Sequence, residues 1–119
     1  MKKEKRFYQN VKDNKEKLLK KYSSIRNEPE KVKTLIEPNY KSHFRDYYKS
    51  QHPAFITGED KENYHFHRTT SSEFDGHHKN LMLYPNPDKN KKTPMCIVKR
   101  KEVDNKKRFS KKKKPWKIK

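Results

Sequence analysis

The sequence predicts a mostly irregular, extended chain with an N-terminal amphipathic α-helix, short helical turns and no independent globular core. Three observations carry that expectation. Only 28% of the 119 residues are hydrophobic while 40% are charged, and the formal net charge is +18; in that regime apolar burial does not repay the entropy of ordering a backbone. Seven prolines interrupt the chain and only two glycines soften it, so it is stiffened without being a flexible linker. The apolar residues, finally, fall in short, separated runs.

The best helical signal lies in residues 3–25. Phe7, Val11, Leu18, Tyr22 and Ile25 share one face, Leu19 widens it, and lysines fill the rest. The stripe is too thin to fold alone, so residues 1–28 are expected to form a helix that lies on a partner, ended by Pro29. Residues 29–98 read as an extended partner-binding ribbon. Within it Val32, Leu35 and Ile36 form a patch between Pro29 and Pro38, and Tyr40, Phe44, Tyr47 and Tyr48 have the spacing of one or two helical turns before Pro53. Gly58 with Glu59, Asp60 and Glu62 marks a turn. Leu81–Tyr84 and Met95–Val98 are short apolar runs, each an isolated strand at most, with no hairpin signal to join them. Residues 99–119 read as a solvated basic tail with Trp116 as an anchor near its end.

The run Tyr64–Gly76 gathers aromatic, hydroxyl and acidic side chains within a lysine-dominated chain. Tyr64, Phe66 and Phe74 have no apolar neighbourhood of their own, which marks them as anchors for another molecule. Thr69, Thr70, Ser71 and Ser72 favour a turn, and Thr70 to Glu73 has capping-box spacing. The stretch reads as a docking turn.

Catalytic chemistry finds no footing. There is no glycine-rich phosphate loop, nucleophile elbow or framed carboxylate pair. Cys96, the single cysteine, sits in an apolar run that favours an inert thiol. His65, His67, His77 and His78 cluster in sequence but lack zinc-motif spacing, so neither a metal nor any other cofactor is expected. The basic excess asks for an acidic or polyanionic partner. With six arginines against a large majority of lysines, bidentate phosphate recognition is not the obvious mode. The aromatics also concentrate in residues 40–84, away from the densest basic run. No apolar run has the length of a signal peptide or membrane span, so no membrane partner is expected.

Tyr64, Phe66, Thr69, Ser71 and Glu73, with Phe74 in the apolar place, resemble the shared stretch of the cilia- and flagella-associated protein 144 family, small proteins of ciliary doublet microtubules. Upstream, Leu18 and Tyr22 in a basic helix, then Pro29 and the run from Lys31 to Leu35, follow a similar order. Leu83, Pro87 and Asp88 are similar in placement, whereas Asp75 and Gly76 stand where the family has Gly-Trp. The resemblance implies a non-enzymatic microtubule inner protein of the axoneme of cilia and flagella. Tyr64, Phe66 and Phe74 would insert into tubulin, Thr69, Ser71 and Glu73 would fix the turn, and the helix with Leu18 and Tyr22 would cross onto neighbouring axonemal proteins. The alternative reading is a lysine-rich component of a ribosome or other ribonucleoprotein, whose nucleic acid the basic arms would thread.

Overall fold

Phe44, Phe55 and Phe66, three rings with no obvious pocket in the sequence, are each at most 1% exposed. The architecture follows from how the backbone brings them together. The computed structural model of the protein describes residues 28–118. One helical turn, α1 (Pro29–Lys33), is followed by strands β1 (His43–Arg45), β2 (Ala54–Glu59), β3 (Asn63–Thr70), β4 (Phe74–Asp75), β5 (His78–Lys79), β6 (Leu81–Leu83) and β7 (Met95–Asn105), and then by a 3₁₀ turn at Lys106–Arg108. Five strands form an antiparallel sheet in the order β1-β2-β3-β7-β6, and β4 pairs with β5 as a separate hairpin. No helix among the described residues is long and apolar enough to cross a membrane.

Register sorts the rings onto two faces. Phe44 lies opposite Phe55, and Ile56 opposite Phe66, so successive residues of β2 feed opposite sides of the sheet. One face collects Phe44, Phe55, Leu81, Leu83, Met95 and Ile97, capped by Val32 of α1 and flanked by Leu35, Ile36, Trp116 and Ile118. The other holds Tyr47, Ala54, Ile56, Phe66 and Phe109. There Phe66 meets Tyr47 edge-on at 4.8 Å, and Phe109 stacks on Tyr47 at 4.7 Å. The Tyr47 hydroxyl donates to Asp104 Oδ2 at 2.5 Å; burial and that carboxylate push its pKa up to about 12.

Two irregularities curl the sheet. The register shifts between Ile56 and Gly58 on β2, and again opposite His67 and Thr69, where the partners on β7 are Lys101 and Ile97. Such bulges bend a strand and sharpen its twist. After the 3₁₀ turn the chain returns to the first strand. Tyr47 bridges Phe109, Ser110 N–H donates to Asp46 O at 2.9 Å, and Lys114 N–H donates to Phe44 O at 2.7 Å. This C-terminal strap covers the outer edge of β1, so the sheet is rolled toward a small barrel and that edge is removed from solvent.

The sheet and its two-sided core overturn the expectation of an irregular extended chain without an independent core. Composition misleads because the apolar content is concentrated in rings. An aromatic side chain buries roughly 150–250 Å², so a few aromatics on two faces of one sheet do the work of many aliphatics. The helical turns expected among Tyr40, Phe44, Tyr47 and Tyr48 are absent: Phe44 and Tyr47 belong to opposite faces, and Tyr48 is exposed. Leu81–Leu83 and Met95–Ile97 are not isolated strands but partners of each other. The supposed basic tail begins inside β7 and continues as the strap. The N-terminal helix expected over residues 3–25, with Leu18 and Tyr22, falls outside the described residues.

Candidate nucleic-acid interface

Arg45 fixes the strap, and the strap fixes Trp116. The Arg45 guanidinium, nearly buried under Tyr64, donates to the carbonyls of Ser110 and Lys111 at 2.9 and 2.8 Å. Lys114 then bonds twice, its N–H to Phe44 O and its ammonium to Asp46 at 3.1 Å. Trp116 follows, packed against Phe44 at 5.7 Å with the Lys114 ammonium 5.0 Å from its ring centre. The indole is thus half-buried and held, with part of its surface still open.

Facing it is the loop between β6 and β7, whose shape is set by its own side chains. Asn86 accepts from Asp88 N–H at 2.8 Å and donates to Thr93 O at 2.9 Å, while Asp88 accepts from Asn90 N–H at 3.1 Å. These are local turns of the kind that Asn and Asp stabilise. Two open grooves, of about 520 and 640 Å³, run between loop and strap with Trp116, Asn86, Asp88 and Lys91 shared by both. The smaller is also lined by His52, Lys114 and the hydroxyl residues Thr69, Thr70, Ser71 and Thr93. The larger is lined by Pro85, Pro87, Lys89 and Lys117.

The electrostatics are one-sided. Among the described residues, Lys89, Lys91 and Lys92 of the loop and Lys111, Lys112 and Lys117 of the strap form no ion pair. The nearby carboxylates are engaged, Asp46 by Lys114 and Asp88 by its own loop. An open aromatic surface within a rim of uncompensated ammonium groups can neutralise phosphates and stack on a base. Lysine point charges suit backbone contact better than bidentate reading of base edges.

The predicted docking stretch is dispersed by the fold. Phe66 is fully buried, and Tyr64 is half-buried edge-on to Phe109 at 5.1 Å. Phe66 thus has no surface open to a partner, and Tyr64 only part of one. Thr69 is buried, and its hydroxyl donates to Pro53 O at 2.5 Å. Ser71 is exposed on the rim of the smaller groove, and Glu73 lies 3.9 Å from Lys79. Phe74 alone among the three aromatic anchors is exposed, at 57%, on the β4-β5 hairpin. Leu18 and Tyr22 lie outside the described residues.

The histidines are equally scattered. His65 sits 3.1 Å from Asp60 and 3.4 Å from Glu37; its hydrogen bond to Asp60, and those that Glu62 and Asn63 N–H donate to the same carboxylate, hold the Asp60 pKa down to about 2. His67 is buried and donates through Nδ1 to Val98 O at 2.9 Å, whereas His77 and His78 are exposed on the hairpin. Among the described residues, no three metal-ligating side chains gather. Cys96 is buried in β7, and burial pushes its thiol pKa up. The sequence reading noticed Trp116 but not the loop opposite it, although Asn86-Pro87-Asp88 is itself a turn signal.

Comparison with protein-family models, with curated proteins and with solved structures returns no match.

Proposed function

We propose that this chain is a non-enzymatic RNA-binding component of a ribonucleoprotein, which contacts the sugar-phosphate backbone through the lysine rim and stacks a base on Trp116. The observation that carries this reading is the position of that indole: the fold seats the single tryptophan at the junction of two grooves that Lys89, Lys91 and Lys117 also line, lysines that form no ion pair among the described residues. The aromatics of residues 40–84 line neither groove; Trp116, inside the basic run itself, supplies the stacking surface. The curled sheet supplies the platform, and the loop and strap supply the charge.

Because Trp116 is the only tryptophan, its intrinsic fluorescence reports on the grooves directly. Titration of the purified chain with a single-stranded oligoribonucleotide should quench it saturably. With about three phosphates neutralised, affinity should fall roughly twentyfold for a fourfold rise in salt. Reversing Lys89, Lys91 and Lys92 to Glu should abolish most of the quenching. Titration curves that ignore both salt and charge reversal would remove the proposal.

A second reading, a microtubule inner protein bound to tubulin and neighbouring axonemal proteins in a cilium or flagellum, is favoured by one observation. Phe74 lies on the β4-β5 hairpin as a largely exposed ring. Co-sedimentation with microtubules that is lost in Phe74→Ala and unaffected by the lysine reversals would select this reading over RNA.

A further inference from the structure

The longest strand of the sheet is paired along only part of its outer side. β6 covers Met95, Cys96 and Ile97 of β7, through Leu83, Met82 and Leu81. Among the described residues, no backbone hydrogen bond reaches residues 99–104 from the side away from β3. A protein edge of that kind is a template for another strand.

Which groups face outward follows from the ladder. Lys106 N–H donates to Glu62 O at 2.9 Å, which makes this a hydrogen-bonded pair, and in an antiparallel ladder such pairs alternate with non-bonded ones. Counting back along the register, Asp104 with Tyr64 and Glu102 with Phe66 are bonded pairs; Val103 with His65 and Lys101 with His67 are not. The N–H and C=O of Lys101 and Val103 therefore point away from β3, toward the open side. Val103 is also 55% exposed, an apolar β-branched residue in the middle of the free segment.

Charge selects the occupant. The two acidic side chains here are already held, Glu102 by Arg68 at 2.8 Å and Asp104 by Lys49 and Arg108 at 3.4 and 3.2 Å. Lys99 and Arg100 are exposed, and neither forms an ion pair among the described residues. In an antiparallel self-pair bonded through Lys101 and Val103, Arg100 would face Glu102 or Asp104, carboxylates that Arg68, Lys49 and Arg108 already hold, so a second copy offers these cations no free acidic partner. An acidic strand would meet them favourably.

We propose that the outer edge of β7 at Lys101 and Val103 accepts an extended acidic peptide segment of a partner protein as an added antiparallel or parallel strand. The backbone groups of these two residues supply the hydrogen bonds, and Lys99 and Arg100 supply the preference for Glu and Asp. This site is separate from the Trp116 grooves and does not depend on RNA binding.

The test uses the isotopically labelled full chain and a synthetic peptide alternating Glu with Val and Thr, with a Lys-for-Glu peptide as the comparison. The acidic peptide should shift the amide resonances of residues 99–105 and slow hydrogen exchange at Lys101 and Val103 by about tenfold, while the basic peptide should do neither. Val103→Pro removes one outward N–H without breaking a bond to β3, and should abolish the effect. The exposed double reversal Lys99→Glu, Arg100→Glu should weaken it at least tenfold with the thermal midpoint unchanged. Shifts confined to the Trp116 grooves, equal response to both peptides, concentration-dependent self-association through β7, or no response would each overturn the proposal.

Discussion

Arg45 ties the C-terminal strap to β1: its Nη1 donates to the carbonyl oxygens of Ser110 and Lys111 at 2.9 and 2.8 Å, and its Nε donates to His43 at 2.7 Å. A lysine cannot reproduce that fork. Arg45→Lys should therefore cost about 2–3 kcal/mol of stability, the scale of charged hydrogen bonds lost at a nearly buried site. Urea unfolding followed by Trp116 emission reads it, with the strap released before or with the core. A loss no larger than that of an exposed substitution would contradict the clamp.

Acid should weaken the fold through His43 and His67. Burial is the main reason both rings hold a pKa below the ordinary histidine value of 6.5. In the unfolded chain each protonates near pH 6.5, and in the folded chain only at lower pH. Below about pH 6.5 the unfolded state thus binds more protons, so stability falls as pH drops from there through the depressed folded values and is level above it. The urea midpoint should decline between pH 7 and pH 5, and His43→Asn with His67→Gln should flatten that decline. A midpoint that stays constant in the native chain over that interval would refute the assignment.

Phe66 and Phe74 should behave oppositely. Phe66→Ala removes a fully buried ring and should cost about 3–5 kcal/mol, a large share of the stability of an ordinary domain. Phe74→Ala touches an exposed hairpin and should change stability by about 0.5 kcal/mol or less. Thermal melts of the two variants separate a core residue from a surface one.

Gly58 makes room for Glu37. A methyl group at that position would lie 2.5 Å from Glu37 Oε2 and 2.9 Å from Oε1, the oxygen that pairs with Lys101 and His65. Hydrogen bonding to Lys101 is the chief cause of the lowered Glu37 pKa. Gly58→Ala should swing that flexible side chain away and lower the urea midpoint slightly. In a Glu37→Ala background the same change should have little effect, and equal losses in both backgrounds would contradict the contact.

What the sequence made legible was local. Of the turn expected at Gly58, Glu59, Asp60 and Glu62, the part from Asp60 to Glu62 is there, with Asp60 accepting from Glu62 and Asn63 N–H at 3.0 and 2.9 Å, while Gly58 and Glu59 belong to β2; the run from Met95 to Val98 does begin a strand. What it hid was long-range. Phe109 lies far along the chain from Tyr47, and no local window contains the pairing that buries both. Phe66 looked unhoused because its pocket is assembled from β2, β3 and the strap. For the same reason the groove was invisible: Trp116 and Lys91 come from separate segments and meet only after the strap has returned to β1.

An amide-resolved titration of the labelled chain with a single-stranded oligoribonucleotide tests the central claim most directly. The account predicts a dispersed spectrum from the free protein and RNA-induced shifts concentrated in residues 85–93 and 111–117, including the Trp116 indole. A collapsed spectrum, or shifts that spare Trp116 and the facing loop, would contradict it.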